Sequence, residues 1–389
     1  MNATNRFLPR FVFLIIFSTL LAAAAHLAPR ALAQSPPATT PPALIPFNKG
    51  GKWGYSDVSK KLVILPQYDS AELFREGLAE VELQDKAGFI DPTGRVVVPL
   101  QYDEAQSFSQ GLAAVSIRGK YGYIDKMGKI AIPLTYDDAK LFREGFAAVQ
   151  RDKKWGFIDR TGRLITDLKY DGVDSFNEGL AIVKIGNMAD STEKCGFIDK
   201  SGKEVIPVKY FACNDFSEGL SHVRLPDASG AILDGFIDKS GAAILPLSKT
   251  YYLASDFQDG WAQVRNSYID KTGKEVLSAA AYEDNGDFHD GLAQVVRGGK
   301  YGFIDKTGKL VIPIQFDNSG FCLVCDFSEG LAGIQVNKKY GFIDKTGTQV
   351  IPPKYDSALA FDQGLTYVQE GNAEGYVGRD GTEYFGPRD

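Results

Sequence analysis

Histidine is nearly missing from this chain. There are three in 389 residues, and one of them, His26, lies in an N-terminal leader. Methionine and tryptophan are equally scarce at three each, and cysteine stops at four. These numbers are too small for a repeated zinc cage. Neither His222 nor His289 has a nucleophile motif beside it, and no G-x-S-x-G, P-loop or G-x-G-x-x-G context is present. A packed or solvated imidazole is the expectation for both. No catalytic residue, cofactor or metal ligand is expected. Helical apolar periodicity is absent over any useful length, which argues against a helix bundle. Positive charge is in deficit: 43 Lys and Arg stand against 49 Asp and Glu, for a formal net charge of −6. Sequence-independent nucleic-acid binding needs the opposite balance, and the net charge does not favour anionic membranes either.

The one long apolar run covers residues 11–25, after Arg6 and Arg10 and before Ala31-Leu32-Ala33. A basic start, an apolar stretch too short for a comfortable span and an A-x-A site read as an export signal cleaved after residue 33. Its loss removes Arg6, Arg10 and Arg30 and no acid, leaving a net charge of −9. No Cys lies near the site, so a lipid anchor is not expected. Residues 34–43 are a Pro/Thr-rich spacer, and residues 44–389 are the folded part. The expected location is the periplasm or the exterior of a bacterium, with no membrane span once the signal is gone.

What is abundant is repetition. Tyr301-Gly302-Phe303-Ile304-Asp305-Lys306-Thr307-Gly308 is the cleanest copy of a unit whose Asp recurs at 57, 91, 125, 159, 199, 238, 270, 305 and 344. Gly375-Tyr376-Val377-Gly378 is a worn tenth copy. Each unit reads Gly-Leu-Ala-x-Val, a short turn, Tyr-Gly-Phe-Ile-Asp, a tight turn, Val-Ile-Pro, then a Tyr-Asp…Phe-x-Glu-Gly connector. The alternation and the turn residues predict short strands. Asp-Lys-Thr-Gly predicts a type I turn closed by a Gly at positive φ, with the Asp capping turn amides. Pro66, Pro99, Pro133, Pro207, Pro246, Pro313 and Pro352 are expected to end the third strand.

Lys52-Trp53-Gly54-Tyr55 and Lys154-Trp155-Gly156-Phe157-Ile158-Asp159, with the Tyr variants Lys120-Tyr121-Gly122 and Lys300-Tyr301-Gly302, resemble the WG (KWG) repeat family. The resemblance covers residues 51–386. It departs at the Trp position in Ala87, Cys195, Asp234 and Glu374, where weaker packing is expected. What it implies is a bacterial β-repeat protein that mediates binding.

The fold class is therefore all-β, a tandem array of about ten small hairpin or three-stranded units. Chain ends that start and stop in phase favour an open superhelical array, with a closed propeller as the alternative. Three aromatic ladders, led by Tyr55, Phe74 and Tyr68, are read as core, because one ring per unit at fixed phase is what stacking needs. The Asp ladder is read as turn caps rather than calcium sites, which cluster several oxygens in one loop. Cys195, Cys213, Cys322 and Cys325 are candidates for two disulfides of an exported protein, with the connectivity open; Cys195 and Cys213 lie in one unit and Cys322 and Cys325 form a C-x-x-C.

Departures from the pattern point to function. The first hairpin loop is enlarged in two adjacent units, residues 184–194 and 224–234, and a connector is enlarged at residues 318–325. Neighbouring insertions commonly form one binding face. Asn187, Asp190, Glu193, Asp227, Ser229 and Asp234 are the candidate contact residues. The expected partner is a protein or glycan of the cell envelope. The favoured role is non-catalytic binding or scaffolding. The alternatives are a lectin-like module using rings such as Tyr251 or Trp261, and a hydrolase with no assignable site.

Overall fold

The computed structural model describes residues 42–252, 254–317 and 324–386, all within one compact unit. The leader and most of the spacer lie outside them. Among the described residues no helix is long and apolar enough to cross a membrane. Apart from two single 3-10 turns, Met188–Asp190 and Lys249–Tyr251, the regular structure of the described residues is β.

Ten antiparallel sheets follow each other in chain order, each a blade made from one stretch of sequence. Blade 2 shows the plan. A two-residue lead strand, Ser70–Ala71, pairs with a hairpin strand, Ala79–Leu83; then come a central strand, Lys86–Ile90, and an edge strand, Val96–Tyr102. Asp69 alone separates this lead strand from the edge strand of blade 1, Leu62–Tyr68, so here the edge strand runs almost directly into the next blade.

The Gly of each Trp/Tyr-Gly pair has a steric cause. The edge strand bulges over it: Ala87 pairs with Tyr102 and Phe89 with Val98, so two central-strand positions span four edge-strand positions. A Cβ on Gly88 would lie 2.6 Å from the carbonyl oxygen of Val98, and one on Gly302 would lie 2.4 Å from that of Ile312. Only Gly admits that approach. The bulge also corrects an expectation. Pro99 and its counterparts do not end the strand; they sit inside it, and the edge strand runs on to Tyr102. A bulged edge needs no amide there, so Pro is accommodated.

One ring pair joins each blade to the next. Tyr55–Phe74, Phe89–Phe108, Tyr123–Phe142, Phe303–Phe327 and Phe342–Phe361 have centroids 4.8–5.0 Å apart. Each pair sets a central-strand ring against the connector Phe of the following blade. Such a pair contributes about 0.5–1.5 kcal/mol beyond its buried area. A second joint repeats beside it. The turn Gly of one blade abuts the edge-strand aliphatic of the blade before, as Gly94 does Ile64 and Gly381 does Ile351.

These joints close the array, so of the two architectures the protein adopts the closed ten-bladed propeller rather than the favoured open superhelix. Blade 10 meets blade 1. Asn48 bridges Phe385 in parallel, and the Gly386 amide donates to the Asn48 carbonyl at 2.9 Å. Tyr384 takes the place of the edge-strand aliphatic and reaches the Val58 carbonyl, in the turn where Lys60 at positive φ replaces Gly. No connector Phe covers Tyr376, and Tyr367 leans in instead, against Tyr376 and Trp53. Arg75 of blade 2 pairs with Asp362 of blade 10 at 2.6 Å. The seam needs no blade shared between the chain ends, because side chains of several blades span it.

Candidate functional site

Most periodic polar residues turn out to be occupied structurally. The Asp305 carboxylate accepts from the Thr307 amide at 2.9 Å, the Thr307 hydroxyl at 2.6 Å and the Lys309 amide at 3.1 Å. The Thr307 hydroxyl is the main reason its pKa is lowered. Gly308 sits at φ 81° and donates to the Asp305 carbonyl, as the turn type requires. A second Asp, the one in each Tyr-Asp, ties two blades. Asp137 takes the Lys120 ammonium of its own blade and the Asp152 amide of the next blade's first turn at 2.8 Å. The connector Glu does the same at the other end of the blade. Glu76 accepts from the Gly111 amide at 2.9 Å and pairs with Lys126 at 3.1 Å, both from blade 3. Glu144, Glu178, Glu218 and Glu329 repeat the bond to the following Gly. Among the described residues no cluster of three or more His, Cys, Asp or Glu is placed to hold a metal ion.

The six loop candidates divide. Asn187 caps the turn Met188–Asp190, accepting from the Ala189 amide at 2.9 Å, and is exposed. Asp190 ends that turn, and the half-buried Glu193 donates its amide to the Asn187 carbonyl. Residues 224–234 are not a loose loop. The strands Leu220–Pro226 and Ile232–Asp238 continue the hairpin, and Asp227 closes it with the same carboxylate cap, taking the Ser229 amide at 2.8 Å and hydroxyl at 2.6 Å. Asp234 is 0 % exposed, which removes it from any contact surface. It occupies the Trp position. Its Oδ1 lies 2.9 Å from His222 Nε2 and accepts from Arg224 Nε at 3.1 Å.

Cys195 and Cys213 are joined, with Cα atoms 6.1 Å apart. Cys195 is in a Trp position too, and it is buried. Cys325 is also disulfide-bonded; Cys322 and most of the enlarged connector, residues 318–323, fall outside the described residues. The rings suggested for sugar stacking are packed. Trp261 lies edge-on to Phe288 at 5.2 Å under the Lys306 ammonium, and Tyr251 packs on the core around Phe236.

Two features were missed. The residue before the connector Phe is Asp in four successive units, Asp215, Asp256, Asp287 and Asp326, where other units have Leu, Ser or Ala. Asp287 faces Ser255, Asp256, Asp326 and His289; burial pushes its pKa up to about 6, helped by the neighbouring carboxylates. Burial raises Asp256 and Asp326 as well. His289 Nε2 lies 3.7 Å from Asp326 Oδ2. The run of four Asp was legible in the sequence once the units were aligned. The second feature is Phe211, which stands where the tying Asp of the Tyr-Asp pair belongs. With no carboxylate there, Lys194 lies over the Phe211 ring at 5.5 Å, and the ring stays partly exposed. Ile185 and Met188 on the same hairpin end are exposed, as is Tyr252 at the next junction.

The family described as WG containing repeat matches residues 53–86, 88–121, 121–155, 155–188, 196–225, 267–301, 301–340 and 340–372. No curated protein matches the chain. Among solved structures, the extracellular domain of a hybrid two-component system from B. thetaiotaomicron is 12 % identical with a TM-score of 0.32; the likeness covers 87 % of this chain and 56 % of that one. The chain thus spans little more than half of that protein. Dihydro-heme d1 dehydrogenase NirN is 13 % identical over 84 % of this chain and 76 % of its own, with a TM-score of 0.36. Hydrazine synthase of Kuenenia stuttgartiensis is 12 % identical over 78 % and 92 %, with a TM-score of 0.29. Likenesses this low say nothing of what the chain binds.

Proposed function

The chain belongs to the WG repeat family, and from that premise we propose that it is an exported, non-catalytic module that binds a protein partner in the bacterial envelope. Export rests on the basic start, the apolar residues 11–25 and the Ala31-Leu32-Ala33 site. The observation that carries the binding reading is the hairpin end of blades 5–7. Ile185, Met188, Phe211 and Tyr252 are large apolar side chains left in solvent there. In the regular blades Lys–Asp ties such as Lys120–Asp137 span the same end; Ile117 is exposed there as Ile185 is, but Met188, Phe211 and Tyr252 have no exposed counterpart in blade 3. Exposed apolar and aromatic groups beside a cation, on neighbouring repeats, suit a protein contact. Asn187, Glu193, Asp227 and Ser229 form its polar margin.

Affinity capture from the envelope fraction tests this, using the wild-type chain beside Met188→Glu/Phe211→Glu. The double variant keeps every ring pair and turn cap, so its melting temperature should stay within a degree or two. A protein held by the wild type and lost with the variant supports the contact surface. Identical captures with both would refute it.

A further inference from the structure

The ten blades provide an internal control. At one edge-strand position, opposite Ser56 in blade 1 and opposite the last central-strand aliphatic in the others, blades 1–4 carry Leu62, Val96, Ile130 and Leu164. The same position holds Glu204, Ala243, Glu275, Gln349 and Glu383 in blades 5, 6, 7, 9 and 10, with Leu310 in blade 8. The fold does not need an aliphatic group there, since Glu serves equally well. Val96, Ile130 and Leu164 are exposed, as are Leu65 at 69 % and Met127 at 79 % nearby. A basic residue precedes each of the four, Lys61, Arg95, Lys129 and Arg163; Lys203 and Lys274 stand there in blades 5 and 7 before a Glu, and Lys309 in blade 8 before Leu310, so what marks the arc is the unbroken succession of aliphatic–basic pairs. Arg95 and Arg163 touch the turn carboxylates Asp91 and Asp159 but remain more than three-quarters exposed. The turn amides use Oδ1 of each carboxylate and the Arg Nε uses Oδ2, which leaves the outer guanidinium nitrogens facing solvent.

We propose that this edge of blades 1–4 is a peripheral lipid surface that rests on an anionic bilayer. The aliphatic groups enter the acyl boundary, and Lys61, Arg95, Lys129 and Arg163 meet lipid phosphates. The chain is acidic overall, so the attraction is local to this arc. Three observations favour lipid over protein. The row has no aromatic anchor, whereas protein contacts centre on Trp and Tyr, together with Arg, in pockets. It is spread over four successive hairpins. Pro66, Pro99 and Pro133 remove amides from these edge strands, which discourages another chain from pairing with them. The surface lies on different blades from the protein contact proposed above and stands independently of it.

The test is local hydrogen exchange with vesicles of phosphatidylglycerol and, separately, of phosphatidylcholine. Residues 11–25 would themselves hold a bilayer where present, so protection of particular strands is read rather than flotation of the chain. Phosphatidylglycerol should slow exchange several-fold in Leu62–Tyr68, Val96–Tyr102 and Ile130–Tyr136, and leave Gln349–Tyr355 of blade 9 unchanged. Val96→Glu/Ile130→Glu/Leu164→Glu should abolish the protection. Lys61→Glu/Arg95→Glu/Lys129→Glu/Arg163→Glu should do the same while keeping the aliphatic row, and its melting curve reports that the fold survives. Equal protection by phosphatidylcholine, protection that survives both variants, or none with either vesicle would overturn the proposal. So would protection that grows with protein concentration in the absence of lipid, which would mark a protein interface.

Discussion

Blades 2–4 and blades 6–9 share one joint and differ in what surrounds it. In the first arc the units are 34 residues long, hydrophobic or hydroxyl residues (Leu73, Ser107, Leu141) precede the connector Phe, and Lys–Asp ties seal the hairpin ends. In the second arc the spacing varies and Asp256, Asp287 and Asp326 precede that Phe; Phe211 replaces the tie where blade 5 meets blade 6, while Lys300–Asp317 and Lys339–Asp356 keep it in blades 8 and 9. Yet the ring pairs have the same separation: 4.8 Å for Tyr123–Phe142 and 5.0 Å for Phe236–Phe257. The Gly under the bulge is crowded in both: a Cβ would lie 2.6 Å from the nearest backbone atom at Gly88 and 2.8 Å at Gly235. The joint is thus set by ring and Gly alone. Charge and loop length around it vary without breaking the ring, which leaves those positions open to other uses.

The largest effect should be the same in both arcs. Phe142→Ala and Phe257→Ala should each cost about 3–5 kcal/mol in urea unfolding, because each empties a buried ring site at a blade junction. A cost for Phe257→Ala well below that for Phe142→Ala would show that the second arc is held by something else. Gly88→Ala and Gly235→Ala should each cost about 1–3 kcal/mol, from a methyl forced against backbone. A neutral result at either would mean that the bulge can shift.

The third prediction should separate the arcs. Asp287 binds its proton more tightly folded, at about 6, than at the ordinary 3.8. Its contribution is therefore favourable at low pH and is lost as pH rises from about 4 through 6. Asp287→Asn should stabilise the protein by on the order of 1–2 kcal/mol at pH 7.5 and by little at pH 4. In the first arc, Asp91 is held down to about 2, chiefly by the Thr93 hydroxyl. Its contribution is present above about 4 and falls away toward pH 2, so Asp91→Asn should destabilise at pH 7.5. Melting temperatures at the two pH values check both signs; a shift of the same sign for both variants at pH 7.5 would remove the contrast.

Most of the repeat was legible in the sequence because its causes are local. The turn Asp and Gly, the alternation of the strands and the Gly beside the ring are fixed within a few residues of each other. The candidate site was legible only in part. Asn187 and Met188 stand on a real excursion, but Asp234 reads as a loop residue until the hairpin is seen to continue through it. The strand Ile232–Asp238 has an ordinary face, and only pairing with Leu220–Pro226 shows that Asp234 points inward to His222 and Arg224. The edge-strand Pro misled for a related reason: a bulge is a property of two paired strands, and one strand's sequence does not display it.

The sequence by itself determined the unit, its number and its all-β character, since each unit carries its own turns and its own ring. Closure was decided only in three dimensions. Whether ten units meet depends on the small rotation at each joint, accumulated around the whole array, and no single unit encodes that sum. The seam residues Arg75, Tyr367, Tyr384 and Asp362 acquire their roles only because the rotation brings blade 10 to blade 1. The aliphatic and basic edge of blades 1–4 is likewise a surface only once successive blades set residues 34 apart in one row.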